Sequence, residues 1–168
     1  MKRTWKQQIS LIIMHRYVLV LINFLLLSIV ISIIIELFDL VKTPEDDTKE
    51  MIDMCDGIAI ILYGYGVALK LRDEIMKLFK LYPGFATRLQ AGIDSLCHKY
   101  GIYFILLGLA QEILVQLIVI PNRALNTEGK ESYIFAICLF IQVIVSILFV
   151  KSSIHLLRLP HTVKSKQK

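Results

Sequence analysis

The chain has 168 residues, 56% of them hydrophobic and 20% charged, with a mean hydropathy of +0.65. That balance is too apolar for an ordinary water-soluble domain. The net charge of +5 comes from basic residues flanking apolar runs, so it speaks for anionic lipid head groups and against nucleic acid.

The first apolar run covers residues 17–38 and meets the roughly 20 residues needed to cross hydrocarbon. Met1-Lys2-Arg3 ahead of it imitates a signal peptide. The run is too long for one and lacks an Ala-x-Ala-like site, so an uncleaved first helix is expected. Ser28, Ser32 and Glu36 form its stripe of small or polar residues.

Thr43 followed by Pro44, Glu45, Asp46 and Asp47 predicts a second helix starting near Pro44: a capping hydroxyl, proline at the first position, acids in the first turn. Its apolar run, residues 57–71, is short. Met51, Ile52, Met54 and Cys55 lengthen it at one end, and Lys70 can snorkel at the other. Asp46, Glu50 and Asp53 share one face with Asp56 adjacent. Around an oligomer axis this stripe would form an acidic mouth that concentrates cations; on a single subunit it is a solvated face. Gly57, Gly64 and Ala68 form the small-residue stripe. Tyr63-Gly64-Tyr65-Gly66 contains the Gly-Tyr-Gly string of potassium filters, but Ile61-Leu62 stands where Thr-Val would, inside a continuous helix.

With Pro83-Gly84 as the next breaker, helix two extends to Tyr82, about 58 Å at 1.5 Å per residue. Leu71, Ile75, Leu78 and Tyr82 make one helical stripe, with Phe79 beside them. Phe85, Leu89, Ile93, Leu96 and Tyr100 make another. Two stripes around a tight breaker predict an antiparallel hairpin that extends helices two and three into the cytoplasm. The competing arrangement is a pair of segments lying flat on the membrane.

Helix three runs over residues 85–120, with its apolar run at 100–120, and stops at Pro121-Asn122. One stripe holds Gly101, Gly108, Gln111, Glu112 and Gln116, opposite Ile102, Leu106, Leu109, Ile113, Leu117 and Ile120. Glu112, 12 residues past Tyr100, is placed near the midplane, where a carboxylate is costly to ionise and is a functional candidate. Gln142, Ser28 and Tyr63 or Tyr65 are its expected partners by depth. A structural role as bundle glue competes with proton or cation handling. After a polar connection at Asn126-Thr127-Glu128-Gly129, helix four begins near Glu131. Its apolar run is 133–150 and Pro160 ends it. Cys138, Gln142, Ser146 and Ser153 form its stripe.

Of the 19 Lys and Arg residues, only Lys42, Lys49, Arg123 and Lys130 lie in the first and third connections. The positive-inside rule then puts both termini and the middle connection in the cytoplasm of a plasma (inner) membrane. Cys55 falls near the outer face, Cys97 near the cytoplasmic face and Cys138 within run four. No two share a compartment, and no intrachain disulfide is expected. His15, His98 and His155 lie toward cytoplasmic helix ends without a ligand-spacing motif. Neither a catalytic triad, His-Glu-x-x-His nor a phosphate-binding glycine loop occurs.

The expected fold is all-α: a single-domain, integral-membrane four-helix bundle, N-in and C-in, with a cytoplasmic hairpin. The expected function is a homo-oligomeric, non-enzymatic protein handling protons or small cations through Glu112, Gln111, Gln116, Gln142 and Ser28. No cofactor or metal is expected. The alternative is a membrane adaptor whose hairpin binds a cytoplasmic protein partner.

Overall fold

A computed structural model describes residues 16–42, 48–78, 88–119 and 131–159. Helix α1 covers Arg16–Lys42, α2 Thr48–Lys70, α3 Arg72–Leu78, α4 Arg88–Val119 and α5 Glu131–Arg158, and the described residues contain no strand. Helices α1, α2, α4 and α5 are each long and apolar enough to cross a membrane. Runs of Ile, Val and Leu such as those of α1 have no strong helical propensity in water. In hydrocarbon the backbone must satisfy itself, and the helix is the solution open to a single segment. Leu21, Phe24, Leu25, Ile35, Ile60, Leu106, Ile113 and Phe140 all stand exposed. Apolar exposure on every long helix is what a lipid solvent permits and water does not.

The helices outrun the apolar runs that predict them. Helix α2 is already helical at Thr48 because Asp53 and Asp56 interrupt hydrophobicity without interrupting the backbone ladder. Its expected start near Pro44 lies outside the described residues. At the other end, a turn at Leu71 divides α2 from α3. The ladder still crosses it, through Leu71 N–H to Val67 O at 3.0 Å and Ile75 N–H to Leu71 O at 2.9 Å. Helix α3 buries Arg72 and Met76, while Leu78 is 77% exposed, so the buried face is rotated from the expected Leu71–Ile75–Leu78 stripe. On α4, Ile93 and Tyr100 are buried as that stripe requires. The reversal itself, with Phe79, Tyr82, Pro83-Gly84 and Phe85, lies outside the described residues, as does the side chain of Leu89.

The long helices pack as two antiparallel pairs, α2 with α4 and α1 with α5, joined chiefly along α4 and α5. Glycine sets the first pair. A Cβ on Gly101 would sit 2.7 Å from the Gly66 carbonyl oxygen, and one on Gly66 would sit 2.7 Å from that of Gly101. Gly108 makes a second such approach, to Ala59 O and Tyr63 N, each at 2.9 Å. Backbones this close gain dispersion contact along the seam, the main attraction available between helices in lipid. The expected stripe of Gly57, Gly64 and Ala68 is therefore corrected: nothing comes within 4 Å of a Cβ at Gly57 or Gly64, and Ala68 is exposed.

The stripe expected on helix one is corrected too. Ser28, Ser32 and Glu36 are exposed. Ser28 donates to Leu25 O at 2.8 Å and Ser32 to Ser28 O at 3.0 Å. A serine that bonds its own helix has no need of the bundle interior. Asn23, whose amide has two donors and an acceptor to satisfy, is buried instead.

Buried arginines hold the basic end. Arg16 donates to the Leu159 carbonyl at 3.1 Å, satisfying an acceptor at the end of α5, and its guanidinium lies over the Tyr17 ring. Arg72 pairs with Asp94 of α4. Gln90, with its amide oxygen turned inward, accepts from the same guanidinium at 3.0 and 2.9 Å. By contrast Lys77 and Asp73, 3.1 Å apart, are largely exposed. The ammonium holds the Asp73 carboxyl below its usual range, though such a surface pair adds little stability.

Candidate functional site

The buried faces of α2, α4 and α5 alternate polar and apolar levels. Nearest the basic end, Tyr100 Oη and His155 Nδ1 share a hydrogen bond of 2.7 Å. Next, Asn23 Nδ2 donates to Ser152 Oγ at 3.3 Å and to Ser153 Oγ at 3.1 Å, while Tyr65 Oη donates to Asn23 Oδ1 at 2.5 Å. One amide thereby ties α1 to α2 and α5. Above it lies an aromatic level: Phe104 stacks on Phe149 at 4.5 Å, and the Tyr65 ring leans on both. Leu62 and Val145 follow, both fully buried.

Gln111 and Gln142 come next, each fully buried. Gln111 Nε2 donates to the Cys55 carbonyl at 2.8 Å. Its Oε1 and both amide atoms of Gln142 have no hydrogen-bond partner among the described residues. Leaving such groups unmade costs about 1–3 kcal/mol each. At the same level Cys55 and Cys138 belong to one buried cluster with Leu37, Met51, Val115 and Phe135. This corrects the expectation that the two cysteines lie at different depths. Helices α2 and α5 run in the same direction, and Cys55 and Cys138 are each the seventh residue of their spans, Lys49–Lys70 and Ser132–Arg158.

Glu112 sits beside Gln111 in sequence but on a different side of the bundle. It is half-buried on the outward face of the α2/α4 pair, where Gln116 Nε2 donates to its Oε1 at 2.8 Å. Its Oε2 is shielded from solvent and receives no hydrogen bond from described residues, and the Asp56 carboxyl of α2 is its neighbour. Glu112 borders a surface cleft of about 130 Å³, otherwise lined by Ala59, Ile60, Tyr63, Gly108 and Leu109. Of the partners expected by depth, the structure brings Tyr63 to this cleft but not Ser28, which is exposed on α1. Gln142 faces the core instead.

In the acidic stripe, Glu50 and Asp53 are exposed and Asp56 is half-buried; Asp46 lies outside the described residues. Asp56 is the member that reaches Glu112, and antiparallel pairing explains why. The Gly66–Gly101 and Ala59–Gly108 contacts set a register that brings residue 56 opposite residue 112. That register rests on Gly66 rather than Gly64, which periodicity alone does not separate. Among the described residues, no group of three or more His, Cys, Asp or Glu side chains is placed to hold a metal ion. Comparison of the chain with family models, with curated proteins and with solved structures finds no match.

Proposed function

We propose that the chain is a homo-oligomeric membrane protein that handles protons or small cations at the Asp56–Glu112 carboxyl pair, without catalysing a reaction. The observation that carries this is the apposition of two acids, of which Glu112 lines an apolar surface cleft. Two carboxyls in that setting can hold one exchangeable proton between them, or a small cation. Because the pair faces away from the subunit's own core, a path past it runs between copies of the chain. Gln116, already bonded to Glu112, steadies the acceptor oxygen.

Flux in reconstituted vesicles tests this. Glu112→Gln keeps the shape and the hydrogen bonding but removes the exchangeable charge. It should reduce flux to the level of empty vesicles while the protein stays folded and assembled. Wild-type vesicles that pass neither protons nor alkali cations at any pH would refute the proposal, as would a Glu112→Gln variant that conducts like wild type.

The proposed orientation puts both termini and the basic end in the cytoplasm of the plasma membrane. An impermeant maleimide should then label cysteine placed at exposed Glu50 or Asp53 in intact cells and spare cysteine at Lys99. The reverse pattern would invert the topology. Exposed Leu78, on the short helix beyond the Lys70 end of α2, favours the second role, an adaptor whose basic end continues into the proposed cytoplasmic hairpin and docks a partner protein.

A further inference from the structure

At the basic end of the bundle, away from the carboxyl pair, α4 and α5 flank an open cleft of about 390 Å³. Ser95 of α4 and His155 and Arg158 of α5 give it a polar lining, and Gly92, Leu96 and Leu159 complete it. The cleft lies where two spans end: Gly92 and Ser95 fall in the first turns of Gln90–Val119, and Arg158 closes Ser132–Arg158. That is the level of lipid head groups rather than of acyl chains.

The lining has the chemistry of an anion site. Arg158 is exposed and has no ion-pair partner among the described residues. Its planar fork of donors suits phosphate oxygens. His155 Nδ1 is held by Tyr100 Oη at 2.7 Å, and Tyr100 is itself buried, so the core sets the orientation of the imidazole. With the phenol donating to Nδ1, the ring hydrogen stands on Nε2 as a second donor, and the Ser95 hydroxyl is a third. No carboxylate of the described residues lines the cleft; Asp94, next to Ser95 in sequence, pairs with Arg72 instead. Gly92 helps to shape the opening, since a Cβ there would come within 3.2 Å of Leu159 Cδ2. Lys99, one turn on from Ser95, and Lys151, one turn before His155, are both exposed and add positive charge at this end.

We infer that this cleft binds the phosphate of an anionic phospholipid, one molecule per chain. Free phosphate shares the donor chemistry, but apolar surface continues from the cleft toward the bilayer interior. Tyr103 and Leu106 follow Lys99 along α4 and Ile147 precedes Lys151 along α5, all exposed. The antiparallel register that stacks Phe104 on Phe149 brings Leu106 and Ile147 to one depth. Acyl chains lying there tether the head group, an advantage that a free ion lacks. A choline lipid carries the same phosphate, yet its quaternary ammonium finds no carboxylate in the cleft and meets Arg158 instead. Neither ion handling nor the direction of insertion enters this assignment.

Native mass spectrometry of the delipidated full-length chain in detergent is the test. The probes are dioleoyl phosphatidylglycerol and dioleoyl phosphatidylcholine, which have identical chains. Phosphatidylglycerol should add as a single adduct about 10-fold more tightly than the choline lipid, the scale of one charge-assisted hydrogen bond. Arg158→Gln should bring the two lipids close to parity, and Ser95→Leu, on the opposite wall, should do the same. Lys70→Gln removes an exposed charge at the same end, on α2, and should keep the full preference. Circular dichroism confirms that the variants retain their helices, and excess inorganic phosphate should leave the lipid adduct in place. Equal binding of the two lipids by wild type would overturn the assignment. So would a preference that survives either cleft variant, or an equal loss in Lys70→Gln, which reports a diffuse basic surface. Displacement of the lipid by inorganic phosphate would make the ligand a free anion and overturn it as well.

Discussion

Replacing Gly101 with leucine should leave no folded protein, and Gly101→Ala alone should weaken the bundle by about 1–3 kcal/mol, the usual cost of overpacking. The atoms that a new Cβ would strike decide this. They are the Gly66 carbonyl oxygen at 2.7 Å and the Lys70 amide nitrogen at 2.8 Å. Both belong to helical backbone, which cannot rotate aside as a side chain would, so α2 and α4 must separate. Separation along one seam also withdraws the second approach at Gly108 and the meeting of residues 56 and 112. Gly64→Ala is the matched control. A Cβ there meets nothing within 4 Å, and alanine recovers about 0.5–1 kcal/mol of helical preference. Unfolding in graded SDS, followed by circular dichroism, ranks the three proteins. Gly101→Ala as stable as Gly64→Ala would mean that the two helices are not held at backbone contact.

Changing Asp94 to leucine should cost about 3–5 kcal/mol, the range for removing one partner of a buried ion pair. Arg72 is 2% exposed and Asp94 14%, so water cannot replace the lost carboxylate. Gln90 would keep its two hydrogen bonds but brings no charge. Arg72→Leu should cost less than Asp94→Leu, because the more exposed acid can rehydrate. The double variant Arg72→Leu/Asp94→Leu should lie well above the sum of the two losses, since a buried pair replaced by apolar residues is often neutral. The measurement is a double-mutant cycle on SDS or thermal midpoints. Additive losses would show that the two side chains do not act as a pair in solution.

Four spanning helices were legible because hydropathy and length suffice for them, and because lipid leaves the backbone no other form. Which face each helix turns inward was legible only in part. On α5 the buried Cys138, Gln142 and Ser153 follow a single stripe, and on α4 Gly101, Gly108 and Gln111 do the same. On α1 the serines pointed the wrong way, since a hydroxyl can be satisfied by its own helix while the Asn23 amide bonds to α5. On α2, Gly64 and Gly66 are equivalent by composition, and contact with Gly101 alone distinguishes them. Glu112 stood out as an acid in an apolar run. Its neighbour Asp56 did not, because that meeting depends on the register of two helices and not on either one's pattern. The nearness of Cys55 to Cys138 was hidden for the same reason: 83 residues separate them, and depth counted from apolar run ends misplaced one of them.

The stacked Phe104 and Phe149 rings, with Leu62 and Val145 beyond them, also set what one subunit cannot do. Proton hopping needs an unbroken file of groups that can both give and receive a hydrogen bond. Asn23, Tyr65, Ser152 and Ser153 form one such segment, and Gln111, bonded to the Cys55 carbonyl, lies beyond the aromatic level. The aromatic and aliphatic side chains between them offer neither donors nor acceptors, so they insulate the two levels like a dielectric spacer. The proposed ion handling at Asp56 and Glu112 would therefore run around that spacer, along the outer surface of the subunit.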